Sequence, residues 1–222
     1  MFESDGCGRC CLSFILTLGL TALFFWLSLR TDKPKCSIEH FYVPALNKSL
    51  NSPHNTSIYF MLQLNNPNKD KGIHYDNVNL TFSVSNNPNA TSVSNNPNTT
   101  HQIGNTTIVG FRQGHGKKAK KWNFTETNGV NWTAFRHVLN NSTVVAFRVD
   151  FATAVKYKIL FWYTKRDGLK LRANVEVDSS GEKVPRKKGI KLTSAAPLPG
   201  GCYSALVVFS VNLSLLLILG FM

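Results

Sequence analysis

Strict alternation of apolar and polar positions is the clearest signal in the middle of the chain. Leu169, Leu171, Ala173, Val175 and Val177 fall on one side of an extended run, and Lys170, Arg172, Asn174, Glu176 and Asp178 fall on the other. Val155, Tyr157, Ile159 and Phe161 alternate in the same way with Lys156, Lys158 and Leu160, and Arg166-Asp167-Gly168 between the two runs predicts a hairpin turn. Further strands are predicted at 38–43, 57–65, 77–84, 106–111, 121–125 and 144–151. Short strands separated by Asn, Gly, Pro and Ser clusters predict an all-β domain, an antiparallel β-sandwich. Outside the two ends no long helical period is visible.

The ends have a different texture. Residues 11–29 and 205–222 contain no Lys, Arg, Asp or Glu. The first run is nineteen residues long, flanked by Arg9 and Arg30, and as a helix it reaches about the 30 Å of a hydrocarbon core. It is longer than the apolar region of a cleaved signal peptide and ends in Trp26, Leu27 and Ser28, so one N-terminal transmembrane helix, an uncleaved signal anchor, is expected. At the far end, small residues at 194–196 precede an eight-residue spacer and an apolar run. This is the layout of a glycosylphosphatidylinositol (GPI) attachment signal, with Ser194 and Ala195 as candidate attachment residues and a cleavable hydrophobic tail. The expected divisions are a cytosolic 1–10, a span at 11–29, an extracellular sandwich at 30–194 and an attachment signal at 195–222.

Charge argues against this orientation and sugar acceptors argue for it. Positive-inside would place the bulk of the chain in the cytosol, since Arg30, Lys33 and Lys35 follow the span. Yet Asn-x-Ser/Thr acceptors occur at Asn47, Asn55, Asn79, Asn89, Asn98, Asn105, Asn123, Asn131, Asn140 and Asn141, where chance would give about three or four. Export to the lumenal or outer side of the membrane follows. Two of the acceptors lie in a duplicated nonapeptide: residues 83–91 recur at 92–100 with Thr99 in place of Ala90, which reads as a glycosylated loop insert at 83–100. Cys7, Cys10 and Cys11 precede the span and are palmitoylation candidates. Cys36 would be the one exported cysteine outside the tail, free or available for an intermolecular link.

No enzyme motif stands out, and the six His residues are scattered. Neither a cofactor nor a metal is expected. The chain has a net charge of +13, and its basic residues are clustered. Arg112, His115, Lys117, Lys118, Lys120 and Lys121 crowd around Phe111 and Trp122, and Lys183, Arg186, Lys187, Lys188 and Lys191 form a second run. In an exported protein such clusters do not meet nucleic acid. The expected partners are extracellular polyanions and membrane lipids.

Residues 66–69 (Asn-Pro-Asn-Lys), 72–78, 111–122 and 156–166 resemble the plant non-race-specific disease resistance and harpin-induced-like family, close to its founding protein. The resemblance implies a late embryogenesis abundant group 2 domain, similar to fibronectin III. It also implies a role in plasma-membrane signalling against bacterial pathogens, membrane to wall adhesion, and a cytosolic immune regulator as partner of the N-terminus. The family's Pro-Phe-Tyr-Gln element stands here as Gly110-Phe111-Arg112-Gln113, and the duplicated insert departs from the family pattern. The alternative is a stress-protective or lipid-binding module with an apolar pocket between its sheets.

Overall fold

The structure, a computed structural model, describes residues 5–50, 55–85, 100–141 and 144–194. Helix α1 (Asp5–Leu29) leads into thirteen strands and a second helix. They are β1 (Lys35–Tyr42), β2 (Ile58–Asn65), β3 (Gly72–Tyr75), β4 (Val78–Ser85), β5 (Thr100–Ile108), β6 (Phe111–Gln113), β7 (Lys118–Thr125), α2 (Trp132–Asn141), β8 (Val145–Ile159), β9 (Trp162–Tyr163), β10 (Asp167–Val177), β11 (Lys183–Val184), β12 (Ile190–Lys191) and β13 (Thr193–Ser194). One sheet has the order β12-β1-β2-β7, and its pairs are antiparallel. The other is built on β8, which carries β10 along one edge and first β4, then β3, along the other. Strand β5 extends β4, and β6 extends β3.

The two sheets face each other across Phe41, Phe60, Phe82 and Phe147, with ring centroids 5.2–6.1 Å apart. These four rings are at most 2% exposed. Side chains therefore fill the space where the lipid-binding alternative would place its ligand. Strand β10 turns Leu169, Leu171, Ala173, Val175 and Val177 inward as its alternation predicts. In β1 the inward side changes parity, from Cys36 and Ile38 to Phe41, because the register shifts between Ile38 and His40. That bulge lets one strand serve a core whose apolar residues are not in simple alternation. Gly181, at φ 77°, lies where a Cβ would come within 2.5 Å of the Val43 carbonyl oxygen. The turn that brings β11 back to β1 depends on it.

Several expectations need correction. Residues 145–159 form one strand rather than two, and Asp167 and Gly168 are already paired with Val155 and Ala154. The reversal falls instead at Leu160 and Phe161, so Phe161 is 88% exposed and not on the inward face. Helix α2 lies in the middle of the domain, where no helical period was expected. Its Trp132, Phe135, Val138 and Leu139 are buried at helical spacing, the Asn131 side chain accepts the Ala134 N–H, and Lys48 Nζ donates to the Leu139 carbonyl (2.9 Å) at its C-terminal end. The run expected as a loop insert at 83–100 begins as strand: Ser83, Val84 and Ser85 are buried in β4, and Ser85 pairs with Thr100. Cys36 is free but only 3% exposed, which leaves no route to an intermolecular disulfide in the folded domain.

At the N-terminus α1 is helical across the expected span. In α1 the side chains described are those of 12–24 and 26, and Leu12, Phe14, Leu16, Leu20 and Phe24 are more than half exposed. The Thr17 and Thr21 hydroxyls donate back to carbonyls one turn earlier, so the polar groups of this stretch are satisfied within the helix. Among the described residues, no helix is long and apolar enough to cross a membrane. The expected tail at 195–222, Ala195 included, lies outside the described residues.

Candidate anion-binding face

The β6–β7 segment, which crosses from one sheet to the other, carries all six residues of the first basic cluster, and the fold sends them four ways. Lys118 and Lys120 alternate with Ala119 and Lys121, so they share the outer face of the β12-β1-β2-β7 sheet with Trp122 and Phe124. Lys121 turns to the other side, its Nζ 4.3 Å from the centre of the Phe111 ring. Arg112 and His115 line a cleft of about 370 Å³ with Asp70, Lys158, Leu160 and Tyr163. Lys117 is exposed, and its carbonyl accepts the Asn66 N–H at 3.0 Å.

Register fixes what stands beside Lys118 and Lys120. Lys118 is opposite Asn65, and Asn65 is opposite Lys35; Lys120 is opposite Gln63, which is opposite Ser37, which is opposite Lys191. Directly opposite residues share a face. Four exposed lysines therefore stand at one end of this sheet, two of them from distant parts of the chain. The next two rows are aromatic. Trp122 lies across Met61 from His40, with ring centroids 5.2 Å apart, and Phe124 lies beside Tyr59 at 5.9 Å. Trp122 and Phe124 are 63% and 53% exposed. Glu39, which accepts from the Ser37 hydroxyl at 2.6 Å, is the acid within this lysine field. A flat surface of exposed rings bordered by ammonium groups suits an anionic polymer with stackable faces, such as a uronate chain. Sequence reasoning placed Lys191 in the second basic run and gave Lys35 no part in a site; strand pairing brings both to this face, and the Lys118, Lys120, Trp122, Phe124 alternation was the available clue.

A buried amide knot holds the connection from β6 to β7. Asn66 Nδ2 donates to the Lys71 and Gly114 carbonyls (2.7 and 3.1 Å), and its Oδ1 accepts the Asn68 N–H (3.0 Å). Asn68 in turn bonds Asp32 at both N–H and carbonyl, and its own carbonyl accepts the Gly116 N–H (2.8 Å). Gln113 joins the sheets: Nε2 donates to the Leu64 and Lys117 carbonyls (2.9 and 2.7 Å), and Oε1 accepts the Tyr75 hydroxyl (2.9 Å). Burial drives the Tyr75 phenol pKa well above its ordinary value, so that hydroxyl is a permanent donor.

The second basic run is not a surface patch as a whole. Lys183 is 3% exposed, and its Nζ donates to the carbonyls of Pro185, Arg186 and Lys188 at 2.8–3.0 Å, tying the loop after β11. Burial lowers its pKa, and the Glu39 carboxylate draws it back up. Arg186 is held by Asp178 (2.9 Å) and Glu182 (3.1 Å).

Of the sugar acceptors, Asn55, Asn79, Asn105, Asn131 and Asn140 are exposed, and Asn47 and Asn123 are half-buried. Asn89 and Asn98 lie outside the described residues, as do the side chains of Asn141, Cys7, Cys10 and Cys11. Ser194 is exposed at the end of β13.

Over 186 residues, 84% of this chain and 81% of the other, the sequence is 52% identical to Protein NDR1 of Arabidopsis thaliana. The chain belongs to the NDR1/harpin-induced-like family. No family model matches it. A solution structure described as that of a late embryogenesis abundant (LEA) protein aligns over 77% of this chain and 87% of its own, with 11% identity and a TM-score of 0.29. An alignment that loose adds no argument. Membership in the NDR1 family rests on the sequence identity.

Proposed function

We propose that this protein is a non-enzymatic component of plant disease-resistance signalling, tethered to the plasma membrane, whose exported domain contacts anionic wall polymer. The observation that carries the reading is the 52% identity to NDR1 across most of both chains. Expression in Arabidopsis lacking NDR1 tests it. Restored restriction of bacterial growth is the expected result, and unrestricted growth at equal protein level refutes the reading.

The membrane tether is α1 together with a GPI anchor at Ser194 or Ala195. The uncharged run at 11–29 and the ten acceptors support it. The first ten residues face a cytosolic immune regulator, with Cys7, Cys10 and Cys11 as lipidation sites. Phosphatidylinositol-specific phospholipase C, applied after cleavage of the N-terminal span, moves the domain into the soluble phase if the anchor is present; a domain that stays with the membrane refutes the anchor.

The wall contact is the lysine and aromatic face. Retention of the full chain on immobilised polygalacturonate should fall at least about tenfold as salt rises from 0.05 to about 0.5 M. It should fall by a similar factor in Lys118→Ala/Lys120→Ala at low salt. Retention indifferent to both changes overturns charge-led contact.

A further inference from the structure

The β8–β9 turn is built against the ordinary rules for a soluble protein. Leu160 and Phe161 at its tip are 80% and 88% exposed, and Trp162 and Tyr163 behind them are about 40% exposed. Four consecutive large apolar residues at a hairpin tip form an exposed patch of the kind that marks an interaction site. Leu160 also has φ 52°, the left-handed region that turns usually give to Gly or Asn. A side chain that is 80% exposed is thus kept in a strained backbone position.

The surroundings indicate what meets this tip. Lys156, Lys158, Lys165 and Arg166 flank it along the chain, and Arg112 and His115 share the adjoining cleft with Leu160 and Tyr163. Gly72 pairs with Lys158 in β8, and the loop before it bonds Asp32, three residues past the end of α1. The apolar helix therefore joins the domain at the pole where the tip projects. Strand β13 runs antiparallel to β10 and points its last residue, Ser194, toward the same pole. An apolar tip with Trp and Tyr at its base and a collar of cations is the composition of an interfacial membrane anchor.

We propose that the Leu160–Tyr163 hairpin inserts into the headgroup region of an anionic lipid leaflet, while Lys158, Lys165, Arg166 and Arg112 contact lipid phosphates. The domain is then held against the bilayer by its own surface as well as by its chain ends. This rests on the membrane tether proposed above, and the test separates the two.

The full chain is reconstituted into phosphatidylcholine vesicles containing phosphatidylinositol, with or without dibrominated acyl chains. Flotation reports the tether, and bromine quenching reports depth. The difference between wild type and Trp162→Phe isolates Trp162 from Trp26, Trp122 and Trp132. The Trp162 emission is expected to be quenched at least about twofold, and to lose most of that quenching when phosphatidylcholine replaces phosphatidylinositol. Leu160→Asp/Phe161→Asp, which alters only exposed side chains, should abolish it. So should Leu160→Gly, which relieves the backbone and keeps the fold. A chain that fails to float refutes both tether and hairpin contact. One that floats with Trp162 unquenched refutes the hairpin contact alone. Quenching that survives Leu160→Asp/Phe161→Asp, or is equal without anionic lipid, also overturns it.

Discussion

At Asp178 the local charge pattern becomes a stability term. Burial alone would raise this carboxyl, but the Ser180 hydroxyl and N–H and the Arg186 guanidinium all donate to it, and the net result is a pKa below the ordinary carboxylate value. A group lowered in the folded state stabilises it above the unfolded pKa, near 3.9, and loses that contribution as pH falls through the folded value. Asp178→Asn should therefore cost on the order of 1 kcal/mol at pH 7, a discounted figure because Arg186 is largely exposed, and the gap to wild type should close below about pH 4. Denaturant unfolding of the detergent-solubilised chain at pH 7 and pH 3 reads this. Cys36 makes the complementary case. Burial pushes its thiol up to about 12, so almost none is thiolate at pH 8. Iodoacetamide should alkylate it at least about a hundredfold more slowly in the native chain than in denaturant, scored by peptide mass spectrometry.

Elements show which parts of the fold could be read without coordinates. Strands β2 and β10 follow from alternation because each has one face on the core. Strands β3 and β6 are four and three residues long, too short for a period, and exist because β8 and a partner supply their hydrogen bonds. Helix α2 was missed because its buried Trp, Phe, Val and Leu occupy only ten residues with β-branched and aromatic members, which local propensity assigns elsewhere. The basic cluster was legible as composition; its division into an outer face, a ring contact and a cleft was not, since strand direction decides it. Gln113 illustrates the limit. It is one polar residue in a basic stretch, yet 5% exposed, with three partners spread over both sheets. Gln113→Leu leaves the Tyr75 hydroxyl and two carbonyls without that partner and should cost about 3 kcal/mol, read as a shift of the denaturant midpoint with unchanged slope. Loss of salt-sensitive polygalacturonate retention should accompany it, because the same amide holds the Lys117 carbonyl just before β7 begins.

Across the whole molecule, charge gathers at one pole, and three of the sugar acceptors gather at the other. Segments 30–35, 66–76, 111–121 and 156–167 contain fourteen Lys and Arg against four Asp, so one pole holds most of the net charge of +13. Pairing places these segments together: Lys35 is opposite Asn65, Asn65 is opposite Lys118, and Gly72 is opposite Lys158. No Asn-x-Ser/Thr acceptor falls in any of the four. Asn47, Asn131 and Asn140 lie around α2 and the turn after β1, where Lys48 reaches Leu139 and Arg136 reaches the Asn47 carbonyl. The hairpin that leads into residues 86–99 opens on that side as well, since Val84 pairs with Phe147 near the start of β8. Glycans attached at Asn47, Asn131 and Asn140 would leave the Lys118 and Lys120 row open to close approach by anions, whose attraction fades over about 10 Å at 0.1 M salt, whereas one at Asn79 would border Lys156 and Arg166. Enzymatic removal of the glycans from the mature chain should therefore change retention on polygalacturonate, and Trp162 quenching by anionic vesicles, by less than about twofold. A tenfold gain on trimming would mean that sugars cover the cationic pole; a tenfold loss would mean that the glycans themselves bind. Either result would break the division of poles on which both the wall contact and the hairpin insertion depend.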